Sequence, residues 1–241
     1  MSVGQNGHCS SFRVHAANRR AACVLVDAVK RTDGEPVRIA ASQAAFGTHA
    51  SWVSEVDATH GLARVTGTSG IQSLVIGQGR YVSLSKDVPA DVIVRKTFPH
   101  AAWHGSPNPY PDQSLNRRIG LSDSLYRALT SKDPKVVRRG DTFVVTGYGS
   151  ADMALTATLT VRAGRLSRFV ESAEDFTMTY EYSDFGHQVG VRAPDPASVV
   201  DDAVYERVMD HYLATHPELL CEYRLQLLKL TNPKAKGSCS P

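Results

Sequence analysis

Two runs of alternating side chains decide the fold of this chain: Leu155-Thr-Ala-Thr-Leu-Thr-Val161 and Phe176-Thr-Met-Thr-Tyr-Glu-Tyr182. A period of two places the apolar side chains on one face of a β-strand and the polar ones on the other. The dipeptide Ala163-Gly164 is typical of a turn and follows the first run directly. The two runs therefore predict an antiparallel sheet with one buried and one polar face.

Further short segments rich in β-branched and aromatic residues extend this sheet in both directions. Asp57-Ala-Thr-His-Gly61 and Gly77-Gln-Gly79 have the composition of hairpin turns. The four prolines within 99–111 predict a loop. The remaining predicted strands are 36–41, 52–59, 61–66, 72–76, 81–85, 141–146, 166–171 and 189–192.

Helices are predicted at both ends of the chain and once in the middle. Apolar residues recur at helical spacing over 11–31, Ser122 is a suitable cap for a helix over 123–130, and two amphipathic helices are predicted over 198–214 and 218–230. The apolar stripe of the last helix consists of Leu219, Leu220, Tyr223, Leu227 and Leu230. We expect an N-terminal segment over 1–35 that is partly helical or disordered, one sheet domain over 36–200, and a C-terminal extension over 201–241 with a disordered tail.

Composition narrows the class of protein. The 241 residues carry a net charge of +3, and the positive residues are scattered, whereas nucleic-acid binders concentrate them on one face. No run approaches the roughly 20 apolar residues of a membrane-spanning helix, and no convincing export signal is present in the chain as written. The expectation is a protein without a nucleic-acid partner that is cytoplasmic as written, or of the cell envelope if a leader is missing.

The cysteines and histidines do not form a metal site in the sequence. The spacing of the four cysteines is not that of zinc ligands; they are Cys9, Cys23, Cys221 and Cys239. They could form disulfides, with Cys221–Cys239 as the first pairing to consider, or remain ordinary thiols, and the sequence favours neither. The pairs His100 with His104 and His211 with His216 are interpreted as ordinary surface or packed histidines.

No catalytic set is found either. A serine-hydrolase elbow and a phosphate-binding loop are absent. Acid–base chemistry could use a pair of carboxylates. The candidate pairs are Asp201-Asp202 and Glu171 with Glu174-Asp175. We interpret them as solvated residues on helix and turn faces. We therefore predict that the chain is not an enzyme and binds no cofactor.

A family resemblance supports the same fold. The runs over 156–169 and 178–186, which include Tyr182-Ser-Asp-Phe-Gly186, and the exit over 189–194 resemble the LolA-like domains of actinobacterial lipoproteins of the LppX and LprG type. Gly79-Arg-Tyr81 and Trp103 extend the resemblance, which covers roughly residues 36 to 201. It implies an α+β half-barrel, in which a curved antiparallel sheet packs on helices, and here carries extra C-terminal helices.

The predicted function is that of a non-catalytic lipid-binding or lipid-carrier protein. A curved sheet that packs on helices leaves an apolar concavity suited to acyl chains, and contact with a membrane surface would accompany such a role. The alternative is a protein-interaction or regulatory module without ligand, with the C-terminal helices as its contact surface. The predicted cavity-lining residues, chosen on the apolar faces of the strands, are Trp52, Val56, Leu74, Ile76, Leu159, Val161, Met178 and Tyr180.

Overall fold

In the residues that the structure describes, twelve strands form one open, curved sheet on which helices pack. The computed structural model describes residues 19–45, 47–106, 135–150 and 153–216. The helices in this part are α1 (Arg19–Asp33), α2 (Pro89–Thr97) and α3 (Asp202–Thr215), and none of them is long and apolar enough to cross a membrane. The strands are β1 (Val37–Ala45), β2 (Thr48–Asp57), β3 (Leu62–Gly67), β4 (Gln72–Ile76), β5 (Gly79–Ser83), β6 (Trp103–Ser106), β7 (Lys135–Arg139), β8 (Thr142–Ser150), β9 (Met153–Arg162), β10 (Arg165–Ala173), β11 (Phe176–Ser183) and β12 (Val199–Asp201).

The sheet consists of two meanders that meet at β1. The strand order is β12-β6-β5-β4-β3-β2-β1-β11-β10-β9-β8-β7. Neighbouring strands are antiparallel, except that β12 runs parallel to β6. Short turns join the strands within each meander, except that α2 lies in the connection between β5 and β6. The pairing of β1 with β11 brings the first and last long strands together.

Helix α1 covers one half of one face of the sheet, which we call the helix face. Leu25 of α1 is fully buried among Phe143, Leu159 and Phe169 of the sheet, so this face carries the main core. Hydrogen bonds fix the helix on the sheet: the Thr32 hydroxyl donates to the Ala28 carbonyl at 2.8 Å and accepts from the Leu166 amide at 2.9 Å. The opposite side of the sheet is called the far face.

Helices α2 and α3 pack at the other edge of the sheet. Leu84, Val94, Ala101 and Val200 form a second buried cluster, against which Val204, Tyr205 and Val208 of α3 pack. In register, Val200 pairs with His104 and His104 with Val82, and cross-strand partners share a face. Val82, His104 and Val200 therefore belong to the helix face, and the three helices of the described residues lie on the same side of the sheet.

The predicted fold class, α+β with a curved and mostly antiparallel sheet on helices, is confirmed. The predicted strands from 36 to 182 are present with ends that differ by a few residues, and the turns at 57–61, 77–79 and 163–164 are confirmed.

Three local predictions are wrong, and one helix was missed. Residues 189–192 are not a strand: the Gly190 carbonyl accepts a hydrogen bond from Arg64 on β3 at 2.6 Å, so the segment crosses the far face irregularly. The predicted loop over 99–111 contains strand β6, whose pairing with β5 overrides its proximity to prolines. The helix expected from residue 198 begins at Asp202, because β12 and a short 3₁₀ turn precede it. Helix α2 was not predicted, since Pro89 was not recognised as a first helical residue.

Some predictions fall outside the described residues. These are the helices over 123–130 and 218–230, the C-terminal tail, and the first part of the N-terminal helix. The part of that helix within the described residues, from Arg19, is helical.

Candidate functional site

The eight predicted lining residues do not share one face. Strand register places Trp52, Val56, Leu159, Val161, Met178 and Tyr180 on the helix face. Leu74 and Ile76 pair with Arg64 and Leu62 and lie on the far face, where the backbone near Gly190 crosses beside them. Periodicity within a strand shows which residues share a face, but the face itself depends on the pairing partners.

The six residues on the helix face differ in burial. Val56, Leu159 and Val161 are buried in the core beneath α1. Trp52, Met178 and Tyr180 are half-buried and lie further along β2 and β11. We call Ala41, Trp52, Phe169, Met178 and Tyr180 the aromatic strip.

The aromatic strip has an alanine as its floor. Ala41 pairs directly with Tyr180 on one side and with Trp52 on the other. Two strand spacings amount to about 9.5 Å, yet the ring centroids of Trp52 and Tyr180 are 6.5 Å apart in an edge-to-face arrangement. The two rings therefore lean towards each other over Ala41. Phe169 stacks on the other side of Tyr180 at 5.6 Å.

Ionisable groups lie beside this apolar strip. Glu171 of β10 is buried, contrary to its interpretation as a solvated residue, and it faces the same side as Phe169 because the two are separated by one residue. Burial, with a smaller contribution from the charge of Glu171, raises the pKa of Tyr180 to about 12. The tyrosine is therefore a neutral hydrogen-bonding group at every physiological pH.

A second polar group lies deeper in the interior. Tyr182 is buried, and its hydroxyl has no hydrogen-bond partner among the described residues. Burial raises the pKa of Tyr182 well above its ordinary value, and Tyr180 and Asp33 raise it further. Burial also raises the pKa of Asp33, at the end of α1, to about 6.

The far face holds a shallow groove of about 580 Å³. Its lining residues are mostly small or hydroxylated, and they also include Ala41 and Trp52 of the aromatic strip. They come from β1, β2, β3 and β11 and the turn after β3, and include Ala40, Ser42, Ser51, Thr66, Thr68 and Thr179. A second groove, of about 450 Å³, runs between α2 and α3 and is lined by Ile93, Val204 and Val208 with Arg207, His211 and Tyr212.

A polar network joins α3 to the sheet and to α2. The Nδ1 atom of His104 lies 2.8 Å from Oδ1 of Asp202, and its ring stacks on Tyr205 at 4.1 Å. The Tyr205 hydroxyl donates to buried Asp91 at 2.7 Å. His104 thus lies in a strand and Asp202 holds it, which corrects the prediction of a loop histidine and a solvated carboxylate. Asp201 caps α3 by accepting from the Ala203 amide at 2.8 Å.

The described residues do not assemble a metal site: no group of three or more histidine, cysteine or acidic side chains in them is arranged to hold an ion. Cys23 on α1 is disulfide-bonded, and Cys9, Cys221 and Cys239 lie outside the described residues. Disulfides persist in oxidising compartments.

Sequence reasoning missed three residues of the site. Ala41 and Phe169 were placed in or near strands without a role, and Glu171 was assigned to solvent. The alternation Phe169-Val-Glu171 could have indicated the position of Glu171, since it places the carboxylate on the same face as an aromatic residue. Only cross-strand register shows that Ala41 separates two aromatic rings.

An open, curved sheet with helices on one face is the class of fold that this chain defines. No protein-family model matches the sequence, and no curated protein matches it. Several solved structures are similar to it, among them LprF, LppX and a LolA-superfamily protein. LprF from Mycobacterium bovis has 14% identity and a TM-score of 0.43, with coverage of 73% of this chain and 97% of that chain.

The lipoprotein LppX from Mycobacterium tuberculosis has 16% identity and a TM-score of 0.44, over 72% of this chain and 98% of that chain. A LolA-superfamily protein from Nitrosomonas europaea has 13% identity and a TM-score of 0.29, over 75% and 97%. The family that the sequence resembles is represented among these structures, and the likeness concerns the fold alone.

Proposed function

We propose that the protein is a non-catalytic carrier that holds a lipid or other apolar ligand on the helix face, over the aromatic strip. One observation carries this proposal: Trp52, Met178 and Tyr180 are only half-buried although they point to the same side of the sheet as the core. Large apolar side chains left accessible on the face that carries the helices are typical of a ligand-binding cavity.

The shape of the strip favours a slender ligand. The small side chain of Ala41 lies between the rings of Trp52 and Tyr180. An acyl chain that separated these two rings would lie between them, over Ala41. Each methylene removed from water contributes about 0.8 kcal/mol, so a chain of several carbons is held without any polar contact.

The polar groups near the strip suit a carrier better than an enzyme. Glu171 is buried and Tyr180 stays protonated, because its pKa is raised to about 12. The His104–Asp202 pair supports α3 through Tyr205. We therefore keep the prediction that the chain is not an enzyme; turnover of a panel of generic esters would contradict it.

Two adjacent alanines allow a matched test. The side chain of Ala41 is on the helix face and that of Ala40 on the far face, although both residues line the 580 Å³ groove. We expect Ala41→Leu to weaken binding of a fluorescent fatty-acid probe about tenfold or more, because the added isobutyl group fills the space between the rings. Ala40→Leu should leave the affinity unchanged.

Trp52 provides a direct readout of where the probe binds. The chain has two tryptophans, so the Trp103→Phe background leaves Trp52 as the only donor for energy transfer to the probe. Transfer that saturates with the probe in this background, and is lost in Ala41→Leu, supports the helix-face site. A probe that is blocked by Ala40→Leu but not by Ala41→Leu would place the ligand on the far face and overturn this proposal.

The ligand class is accessible by native mass spectrometry of protein purified from its own or a related host. An adduct of several hundred daltons that organic solvent releases would identify it. The alternative of an interaction module without ligand predicts instead a mass that rises with concentration in light scattering, with no saturable binding of the probe.

A further inference from the structure

Two hairpin turns lie side by side at one corner of the sheet, next to the end of α1. Thr142 pairs with Thr160, and the Val161 amide donates to the Asp141 carbonyl at 2.8 Å. The β7–β8 turn at Gly140 and the β9–β10 turn at Gly164 are therefore neighbours. Arg31 of α1 lies over the second turn, since a side chain at Gly164 would meet its guanidinium at 2.8 Å.

Five exposed cations lie on the strand ends beside these turns and on the last turn of α1, a region that we call the basic corner. Arg138 is on the helix face, over Phe143, and Arg139 is on the far face. None of the five cations forms an ion pair within the described part of the chain, whereas Arg165 nearby is held by two close contacts to Glu35, at 2.7 and 2.8 Å. The members of the basic corner are Lys30, Arg31, Arg138, Arg139 and Arg162. The exposed carboxylates beside them are Asp141 in the β7–β8 turn and Asp27 one turn back along α1.

We propose that the basic corner docks the protein on an anionic lipid surface. The inference rests on the proposed carrier function, because a carrier must meet a membrane to load or release its ligand. Arginine guanidinium groups form paired hydrogen bonds with phosphate oxygens, and unpaired basic side chains are attracted to the negative surface of a bilayer within a Debye length.

The chemistry of the corner favours lipid phosphates over nucleic acid. Proteins that bind single strands combine cations with exposed aromatic rings on which bases stack. Here Arg138 lies over the ring of Phe143 at 5.2 Å, and that ring is fully buried. Phe185, the other ring at this end, is half-buried beneath Arg165 at 5.3 Å.

The test is sedimentation of the full chain with vesicles of phosphatidylcholine containing about one third phosphatidylglycerol. We expect binding to these vesicles and little to pure phosphatidylcholine, with loss of binding as salt shortens the Debye length. Removing one basic residue near the surface is expected to weaken binding about fivefold. The double variant Arg139→Gln with Arg162→Gln should therefore weaken vesicle binding more than tenfold. The control is Lys86→Gln with Lys96→Gln, at the other edge of the sheet, which should change vesicle binding less than threefold.

Four outcomes would overturn the inference. These are no binding of the wild type to anionic vesicles, equal binding of the two double variants, equal binding to neutral and anionic vesicles, and tighter binding of a single-stranded RNA oligomer than of vesicles. A negative result for membrane docking can be distinguished from a negative result for the carrier function. Arg139→Gln with Arg162→Gln should bind the fatty-acid probe normally, since both residues are exposed and lie away from the aromatic strip. A wild-type protein that binds the probe but not the vesicles contradicts only the docking surface.

Discussion

The Tyr205 hydroxyl donates to Oδ1 of Asp91 at 2.7 Å, and this bond joins α3 to α2 across the second buried cluster. Asp91 is 5% exposed and also accepts from the Ser85 amide at 2.7 Å. The same carboxylate thus holds the loop before α2 and the helix that closes this edge of the sheet.

Tyr205→Phe should therefore destabilise the protein by about 1–3 kcal/mol, since it leaves a buried carboxylate oxygen without its partner. Urea unfolding measures the loss. Tyr212→Phe, on the same helix, is the control, because the Tyr212 hydroxyl forms no hydrogen bond within the described residues. Equal stability of the two variants would show that the Tyr205–Asp91 bond contributes nothing.

The raised pKa of Asp33 predicts how the free energy of unfolding depends on pH. Burial raises its pKa in the folded protein to about 6, from 3.8, so the folded state holds this proton more tightly than the unfolded one. The resulting stabilisation is fully present below pH 3.8 and is lost as pH rises through about 6. At pH 7 the buried charge costs at most about 3 kcal/mol.

We expect Asp33→Asn to raise the thermal midpoint at pH 7 and to change it little at pH 4. Scanning calorimetry at both values tests this. A variant whose gain is the same at pH 4 and pH 7 would show that Asp33 titrates normally.

Gly105 marks a close approach of backbone on β6. A Cβ atom there would clash with the Arg80 carbonyl and lie 2.7 Å from Cδ1 of Tyr81 on β5. Gly105→Ala should therefore separate β6 from β5 and cost about 2 kcal/mol or more. Gly190→Ala is the matched change, since nothing lies within 4 Å of a Cβ atom at that position, and its midpoint should equal that of the wild type.

The core beneath α1 predicts a larger effect. Phe143 is fully buried, and Phe143→Ala is expected to cost about 3–5 kcal/mol through lost burial and a residual cavity. Phe98 is 38% exposed, so Phe98→Ala should cost less than about 1 kcal/mol. Guanidinium unfolding of the two variants gives the comparison; similar midpoints would mean that the interior around Phe143 is loosely packed.

Local patterns in the sequence predicted the sheet well. The alternating runs that became β9 and β11, and the turns that separate them, depend on side chains a few residues apart. Strands with weak local signals were missed. Lys135-Val-Val-Arg-Arg139 has the composition of a surface segment, and it is a strand because β8 supplies its hydrogen bonds.

The candidate site was predictable only in part. Alternation identified Trp52, Met178 and Tyr180 as residues of an apolar face, but it also selected Leu74 and Ile76, which the register places on the other side. The contact of Trp52 with Tyr180 depends on β1 lying between β2 and β11, which are separated by more than 100 residues. No pattern within one strand contains that information.

Strand β7 is an edge strand of the sheet in the described part of the chain. The unpaired backbone groups of an edge strand can form hydrogen bonds with a further strand. Its five residues include Lys135, Arg138 and Arg139, all exposed. Charged side chains on a terminal strand oppose the addition of a second copy and so protect against aggregation. Arg138 and Arg139, two residues of the proposed docking surface, thus also oppose the addition of further strands, and replacing them by apolar residues is expected to make the protein prone to form fibres.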